Sequence, residues 1–513
     1  MKKHSALFRA SGAVLLLRLA VVAAFADVKL PALISDHMVL QAGERVSVWG
    51  WASPDEYIFV EIGDQKHPTL ADANGKWHVD LKPLKTGAHL SLTVRGVNTI
   101  VVSDVLAGEV WLGSGQSNMG LPVKSANNFE AEKSAAEVPE IRMFTIAAKS
   151  SSNVLEDCQG SWQVCNSNNV GNFSAALYFF GREIHQRLKV PMGLIHSSWG
   201  GTPIQPWIPL DNLTNDPGYA ALLERKKSEI AAWPARKKQI QADLKAWEIA
   251  DAVAKAAHEP EPPKPWMPGP PDSGQYMPGQ LYNAMIHPLI HYRIRGAVWY
   301  QGESNAGGGV AGAAEYTDLQ SRLTKAWRQD WGIGDFPFYF VQLPNWNKDG
   351  DRSSNSWAFF REGQANVLKA PNTGMAVTID IGEANNIHPK NKQEVGRRLA
   401  LLALAKTYDK EVICHGPEFE KLKSSRSEIK IHFNHADGGL VAHDGALKSF
   451  TIAGADKKWH LAEGRIEGAA VIVFSQEVPQ PVAVRYDWAN NPDGNLYNGA
   501  GLPAMPFRTD HWQ

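Results

Sequence analysis

A serine lies among small residues and amides at positions 113–120, GSGQSNMG, directly after the apolar run EVWL. A serine hydroxyl is a weak nucleophile near neutral pH, and it needs a base within hydrogen-bonding distance to attack a carbonyl carbon. Histidine titrates closest to pH 7, and His388 occurs in the segment IGEANNIHP. Ser117 and His388 are therefore candidates for acyl transfer through an activated serine.

Other residues have the types that this chemistry requires. The tetrahedral intermediate of acyl transfer carries an oxyanion, which needs preorganised N–H donors. Glycines let the backbone approach closely, and amide side chains can add a further donor. The candidates of these types are Gln116, Gly200, Gly201, Gln301 and Asn305.

The elements that would position these residues alternate between helices and strands from about residue 104. Apolar residues recur at helical spacing over residues 173–188, 316–327 and 395–402, and strand-like runs lie between them. This alternation predicts a parallel sheet covered by helices on both faces. Ligands of such sheets bind outside the carboxyl ends of the strands. The candidate residues follow the runs EVWLG, MGLIHSS, GAVWY and GMAVTID.

Two β-rich regions flank this part of the chain. Short strands separated by turns occupy residues 27–103 and predict an N-terminal antiparallel β-sandwich. Residues 411–513 also return to strand-like runs. The catalytic α/β domain would span residues 104–410, with a charged helical and Pro-rich insertion at about 211–280. We expect Pro234 to kink or split the helix of this insertion.

The N-terminus is typical of an export signal. Cationic residues and a mostly apolar run precede the small-x-small sequence AFA, which ends at residue 26. We therefore expect residues 1–26 to be a signal peptide and the mature protein to be secreted or periplasmic, without membrane insertion. In that compartment Cys158 and Cys165 form either a disulfide or two free thiols. The net charge of -1, with no basic stripe, argues against nucleic acid as a partner.

Four motifs resemble those of the sialate O-acetylesterase family within the SGNH hydrolases. They are GEVWLGSGQSNM, SSWGGTP, WYQGESNA and IHPKNKQEVGRRLA. The similarity extends from SDHMVLQ near the N-terminus to NLYNGAGLPAMPFRTD at the C-terminus. The resemblance implies a flavodoxin-like α/β/α core that hydrolyses acetyl esters on sugars, with no metal or organic cofactor. Acetylated sialic acid and acetylated plant polysaccharide fragments are equally compatible substrates, and the oligomeric state is left open.

The resemblance also implies a role for individual residues. Ser117 would be the nucleophile and His388 the base. An oxyanion hole would combine the backbone N–H of Ser117, a glycine of the Gly200–Gly201 pair and a side-chain amide. Gln301 is the first choice for that amide and Asn305 the second, and Gln116 belongs to the same substrate-binding group.

The acid partner of the histidine is less well defined. Many SGNH enzymes carry an aspartate three residues before the histidine, whereas this chain has Asn385. Glu303 is the first choice, because QGE motifs of related acetylesterases supply such a carboxylate. Asp380 and Glu383 are alternatives, and so is a Ser-His dyad without an acid.

Two other classes of enzyme could use some of the same residues. A glycosidase needs two carboxylates across the scissile bond, which Glu303 with Glu362 or Glu383 would provide. A metallohydrolase is disfavoured because His287 and His291 are separated by a proline-containing segment and no HExxH motif occurs.

A carbohydrate-binding protein on an inactive hydrolase scaffold is the alternative without catalysis. The chain has 18 tryptophans, whose flat apolar faces can stack on sugar rings. Trp199, Trp207 and Trp299 would be the stacking residues, although tryptophans at such positions can equally be part of the core.

Overall fold

The computed structural model describes residues 27–214, 218–262, 264–265, 267–347 and 355–512, so the predicted signal peptide lies outside the described residues. The helices are α1 (Ser117–Gly120), α2 (Phe129–Ser134), α3 (Ala175–Leu188), α4 (Leu210–Thr214), α5 (Tyr219–Ala257), α6 (Gly309–Trp331), α7 (Ser356–Asn366) and α8 (Lys392–Lys406). The strands up to the end of the α/β region are β1 (Val39–Gln41), β2 (Val46–Trp51), β3 (Tyr57–Ile62), β4 (Gln65–Leu70), β5 (Lys76–Leu81), β6 (His89–Arg95), β7 (Thr99–Gly115), β8 (Ile141–Thr145), β9 (Trp162–Val164), β10 (Met192–Ser198), β11 (Gly296–Tyr300), β12 (Phe338–Val341) and β13 (Thr373–Ala376). The C-terminal strands are β14 (Glu418–Ser424), β15 (Glu428–Asn434), β16 (Leu440–Ala442), β17 (Phe450–Ala453), β18 (Trp459–Leu461), β19 (Glu463–Glu467), β20 (Ala470–Phe474), β21 (Ala483–Tyr486), β22 (Leu496–Asn498) and β23 (Phe507–Arg508).

The central sheet has the order β8-β10-β7-β11-β12-β13, and all of its neighbouring strands are parallel. β9 extends it as an antiparallel edge strand next to β8. The chain builds one side of the sheet after β7 and then crosses to the other side through β11. The carboxyl end of β7 is therefore the topological switch point, where open α/β sheets bind ligands.

Helices cover both faces of this sheet, as the apolar pattern predicts. On one face Trp111 of β7 and Tyr339 of β12 share a buried cluster with residues of α3 and α8. On the other face the neighbouring residues Leu112 and Phe338 belong to a cluster that includes residues of α6 and α7. Because alternate residues of a strand point to opposite faces, strands between two helical layers are apolar throughout.

The N-terminal region joins the central sheet through one long strand. The first half of β7 pairs with β6 in antiparallel fashion, whereas its second half pairs with β10 and β11. The predicted boundary between residues 103 and 104 falls inside this strand. Of the other N-terminal strands, β1 pairs with β7 in parallel, and the rest form the antiparallel pairs β3–β4, β3–β6 and β2–β5.

The predicted insertion contains most of α4 and all of α5, and of the two outcomes expected at Pro234, a kink or a split, the split is wrong. α5 is continuous through this residue. A proline inside a helix removes only one backbone hydrogen bond, and the other turns of this helix are retained. Arg225 of α5 forms an ion pair with Glu315 of α6. None of the helices in the described ranges is long and apolar enough to span a bilayer.

The C-terminal region is β-rich and packs directly against the α/β region. Its antiparallel sheets enclose a separate apolar cluster that includes Ile431, Val473 and Phe507. Arg361 of α7 is buried, and its guanidinium donates to carbonyl oxygens of residues 343 and 344 and of residues 489 and 490 at distances of 2.7–3.1 Å. One buried cation therefore ties the loop after β12 to the C-terminal region.

The cysteines are free thiols in the structure. Cys165 is buried, and its Sγ donates to the carbonyl oxygen of Ala136. Burial raises the pKa of both Cys158 and Cys165 to about 12, so neither is a thiolate near neutral pH. The structure thus favours the second of the two states that the sequence allows for this pair.

Candidate active site

The serine lies at the point where β7 turns into α1. Gly115, the last residue of the strand, has φ +137°, and a Cβ atom there would lie 2.1 Å from the carbonyl oxygen of Tyr300. The backbone N–H of Gln116 donates to the same carbonyl oxygen at 3.0 Å. This close approach of β7 and β11 forces the chain into a sharp turn. Ser117 then begins the short helix, half-buried at the edge of the sheet.

His388 contacts this serine from the loop between β13 and α8. Its Nε2 lies 2.9 Å from Ser117 Oγ, although the two residues are 271 positions apart in the chain. Burial and the nearby charge of Lys392 lower the pKa of His388. The imidazole is therefore neutral near pH 7 and can accept the proton of the hydroxyl.

The loop that carries His388 is held by residues of two other regions. The backbone N–H of Gly382 donates to Asn345 Oδ1 at 2.8 Å. Asn345 Nδ2 in turn donates to Asn491 Oδ1 in the C-terminal region at 3.0 Å. Closer to the histidine, Asn386 Oδ1 accepts from the backbone N–H of His388 at 3.0 Å. The position of the imidazole thus depends on contacts beyond its own loop.

The predicted glycine pair follows β10 and lies against the serine. A Cβ atom on Gly200 would lie 3.4 Å from Ser117 Cβ, and Gly201 has φ +74°. Thr202 Oγ1 donates to the carbonyl oxygen of Trp199 at 2.8 Å, which closes the turn. The backbone of Gly200 therefore passes beside the nucleophile, as the sequence predicts.

The three candidate amides differ in what they donate to. Gln301 is fully buried, and its Nε2 donates to Gln116 Oε1, to the carbonyl oxygen of Thr202 and to Asn305 Oδ1 at 2.8–3.2 Å. Asn305 Nδ2 donates to Gln205 Oε1 at 3.2 Å. Among the described residues, Gln116 Nε2 has no acceptor. The first two amides thus hold the site together, and Gln116 has the uncommitted donor.

The candidate carboxylates are not hydrogen-bonded to His388 in the described part of the chain. Glu303 Oε1 accepts a hydrogen bond from Asn118 Nδ2 instead. Burial raises the pKa of Glu303, and its Oε2 is buried without a partner among the described residues. Asp380 accepts two hydrogen bonds from Arg398, at 2.6 and 2.8 Å, and Glu383 Oε2 accepts from Asn386 Nδ2 at 3.1 Å.

Three residues that the two alternative functions would use are engaged in other contacts or in the core. Glu362, the possible second carboxylate of a glycosidase, accepts two hydrogen bonds from Arg508 at 2.9 Å each. Trp207 and Trp299 are buried in the core, so they cannot stack on a ligand. Trp199 is partly exposed beside the glycine pair.

Two residues of the site were not among the sequence candidates. Asn118 follows the nucleophile directly, and its Nδ2 donates to the carbonyl oxygen of Ile387 at 2.9 Å as well as to Glu303. Lys392 is buried at the start of α8, and its Nζ donates to Asn118 Oδ1 at 2.6 Å. Asn118 lies in the motif GQSNM and Lys392 in the motif IHPKNKQEVGRRLA, so their place in these motifs is the sequence signal that could have identified them.

Comparisons with known proteins identify the family of the chain. Residues 107–244 and 255–405 match the family described as carbohydrate esterase, sialic acid-specific acetylesterase. Sialate O-acetylesterase from Mus musculus is 30% identical and sialate O-acetylesterase from Rattus norvegicus is 31% identical, and each alignment covers 92% of this chain and 93% of the relative.

A solved structure extends the likeness to the whole fold. The crystal structure of a carbohydrate acetylesterase from Xanthomonas citri is 34% identical, with a TM-score of 0.81 over 95% of this chain and 100% of that one. The resemblance drawn from the four motifs is thereby confirmed, and the chain is an esterase. It belongs to the sialic acid-specific acetylesterase family of carbohydrate esterases.

Proposed function

We propose that this protein is an exported, serine-dependent carbohydrate O-acetylesterase. The observation that carries the proposal is the 2.9 Å separation between Ser117 Oγ and His388 Nε2 at the switch point of the sheet. Burial lowers the pKa of His388, so the imidazole is neutral and can accept the hydroxyl proton.

The reaction has two steps. Ser117 Oγ attacks the acetyl carbonyl carbon while His388 Nε2 takes the hydroxyl proton. The tetrahedral intermediate collapses to an acetyl-serine, and the sugar oxygen leaves with the proton from the imidazolium. His388 then takes a proton from water, whose oxygen attacks the acetyl group. Acetate leaves, and Ser117 Oγ regains its proton.

The oxyanion hole would form from groups on two strand ends. The first N–H groups of a helix have no acceptor within the helix, which leaves the N–H of Ser117 available. The backbone N–H of Gly200, which lies beside Ser117, adds a second donor. We assign the side-chain donor to Gln116, because Gln301 Nε2 already has three acceptors within the protein and Asn305 Nδ2 donates to Gln205, whereas Gln116 Nε2 has no acceptor among the described residues.

Glu303 was the first choice for the acid of a catalytic triad, and we assign it a different role. Glu303 acts through Asn118, to which it is hydrogen-bonded, and Ser117 and His388 work as a dyad. Glu383 contributes by holding Asn386, whose side chain accepts from the backbone of His388. The buried pair of Asp380 and Arg398 supports the start of the loop.

We further propose an SGNH-type α/β/α core at residues 104–410, preceded by a β-sandwich and followed by the β-rich region at 411–513. The parallel order β8-β10-β7-β11-β12-β13 supports the core. The leader-like residues 1–26 support export to the periplasm or the medium. The substrate is an acetylated carbohydrate, since the relatives are named for sialate and carbohydrate acetyl esters.

A chromogenic acetyl ester tests the reaction. Wild-type protein should release acetate, and Ser117→Ala should lower kcat by about 10⁴-fold or more, as loss of the nucleophile does in other serine hydrolases. Ser134→Ala, at an exposed serine on α2, is the matched control and should retain full activity. An active Ser117→Ala protein would overturn the assignment. Acetate release from O-acetylated sialic acids, xylan, xyloglucan and pectin fragments then identifies the sugar.

A further inference from the structure

Lys392 is a buried lysine next to the nucleophile, and the reaction above gives it no role. It is the first residue of α8 and is 0% exposed. Its Nζ donates to Asn118 Oδ1 at 2.6 Å and lies 5.0 Å from the centroid of the Tyr300 ring. The ammonium group is therefore enclosed by the three segments that follow β7, β11 and β13.

This position is unfavourable for a cation. Burial removes the hydration of the ammonium, and the N-terminal end of a helix carries a partial positive charge. Burial lowers the pKa of Lys392 to about 7, although the carboxylates of Glu303 and Glu383 oppose that effect. The face of the Tyr300 ring offsets part of the cost. A methionine of similar length would fill the same space without a charge.

The lysine acts on its surroundings through Asn118. Because Lys392 donates to the amide oxygen, the amide nitrogen of Asn118 must point the other way. There it donates to Glu303 and to the carbonyl oxygen of Ile387, the residue before His388. The orientation of one amide thus sets how the turn of Ser117 and the loop of His388 meet.

We propose that Lys392 is a positioning residue for this reaction, which fixes the Asn118 amide between nucleophile and base. Its charge adds to the effect of burial in favouring the neutral, proton-accepting form of His388. The proposal rests on the function proposed above. It is distinct from the roles of the base and the oxyanion donors, since Lys392 touches neither reacting atom.

Among the described residues, Lys392 is the cation whose charge affects the pKa of His388, and the other ionisable groups nearby are anionic, paired or neutral. Glu303 follows β11 and Glu383 lies in the loop before the histidine, and both also interact with Lys392. The guanidinium of Arg398, from α8, is paired with Asp380. The phenol of Tyr300 has a pKa raised well above its usual value by burial and is neutral. Below pH 6.5, where histidine titrates, Lys392 is protonated.

The test compares Lys392→Met with Lys390→Met, which removes the same charge from an exposed site two residues away. The first variant should lower kcat by about 10²-fold, the loss expected when reacting groups are misplaced by about 1 Å, with little change in KM. The acid limb of its kcat/KM profile should move to higher pH, because loss of the positive charge raises the pKa of His388. The control should match wild type in both.

NMR titration of the His388 ring in the Ser117→Ala background gives a readout that needs no activity. Wild-type Lys392 should hold the pKa of His388 below 6.5, and Lys392→Met should raise it. A lower kcat with an unchanged histidine pKa would overturn the proposal, and so would a wild-type pKa at or above 6.5. Those outcomes leave the serine mechanism intact, whereas an active Ser117→Ala protein would overturn that mechanism instead.

Discussion

Asn118 Nδ2 lies 2.9 Å from the carbonyl oxygen of Ile387, so the residue after the nucleophile is bonded to the residue before the base. The same nitrogen also donates to Glu303. The distance between Ser117 and His388 therefore depends on a buried amide that links α1 to the loop between β13 and α8, as well as on the conformation of that loop.

Replacement of this amide should separate nucleophile and base. Asn118→Ala removes the hydrogen bonds to Ile387 and Glu303 and leaves the Lys392 ammonium without its acceptor. We expect kcat for acetyl ester hydrolysis to fall by about 10²-fold, with a small change in KM. Asn172→Ala, at an exposed asparagine, should have no effect. Equal kcat values for the two variants would show that the amide does not position the pair.

The side chain of Gln116 can be tested with a substitution that keeps its acceptor. Its Oε1 lies 3.1 Å from Gln301 Nε2, and Gln116→Glu retains an oxygen there but lacks the N–H₂ group. Loss of an oxyanion donor costs about 10²–10³ in kcat, and a negative charge next to the oxyanion adds to that loss. Steady-state kinetics of the variant measure it. Near-normal kcat would exclude Gln116 as the oxyanion donor.

A methyl group at Gly115 should disrupt the turn that presents the serine. The added Cβ of Gly115→Ala would lie 2.1 Å from the carbonyl oxygen of Tyr300, so β7 and β11 must move apart. We expect a lower melting temperature and loss of most esterase activity. Gly445→Ala is a closer match in backbone conformation, since Gly445 has φ +115° and nothing lies within 4 Å of its added Cβ. It therefore isolates the cost of backbone strain, and a comparable loss in both variants would contradict the role of the close approach.

The pair of Asp380 and Arg398 should contribute more to stability than to the chemical step. Their side chains are 10% and 5% exposed, and Asp380→Asn would leave a buried guanidinium with one acidic partner, Glu394. Loss of one member of a buried ion pair costs about 3 kcal/mol. Chemical denaturation should show that decrease. Asp318→Asn breaks an exposed pair with Arg322 and should cost less than about 1 kcal/mol.

Much of this arrangement is predictable from local sequence. Apolar runs bounded by turns mark the strands of the central sheet, and helical spacing marks α3, α6 and α8. Because the carboxyl ends of parallel strands meet at one edge, the runs also predict that Ser117, Gly200 and His388 come together. Their common position at one edge of the sheet follows from the strand assignment, whereas the contact between serine and histidine also depends on the loop between β13 and α8.

The hydrogen-bond partners of the polar side chains are not predictable in this way. Gln301 and Gln116 look equivalent as sequence and both are buried, so only packing decides which amide nitrogen is hydrogen-bonded within the protein and which keeps a free donor. Glu303 has the chemistry of a triad acid, but the orientation of its carboxylate depends on a hydrogen bond from Asn118, 185 positions away in the chain. Asn118 is in turn oriented by Lys392, which is 274 positions away from it. Hydrogen-bond partners of this kind depend on interatomic distances, which the spacing of residues in the sequence does not determine.

The hydrogen bonds from Asn491 through Asn345 to Gly382 have a consequence for truncated forms of the protein. A chain shortened after residue 410 would keep Ser117, His388 and the proposed oxyanion donors, yet it would lack the contact from Asn491 that supports the histidine loop. We expect such a minimal enzyme to be a poor catalyst even where it is soluble. The C-terminal region thus belongs to the catalytic unit and is not an interchangeable accessory.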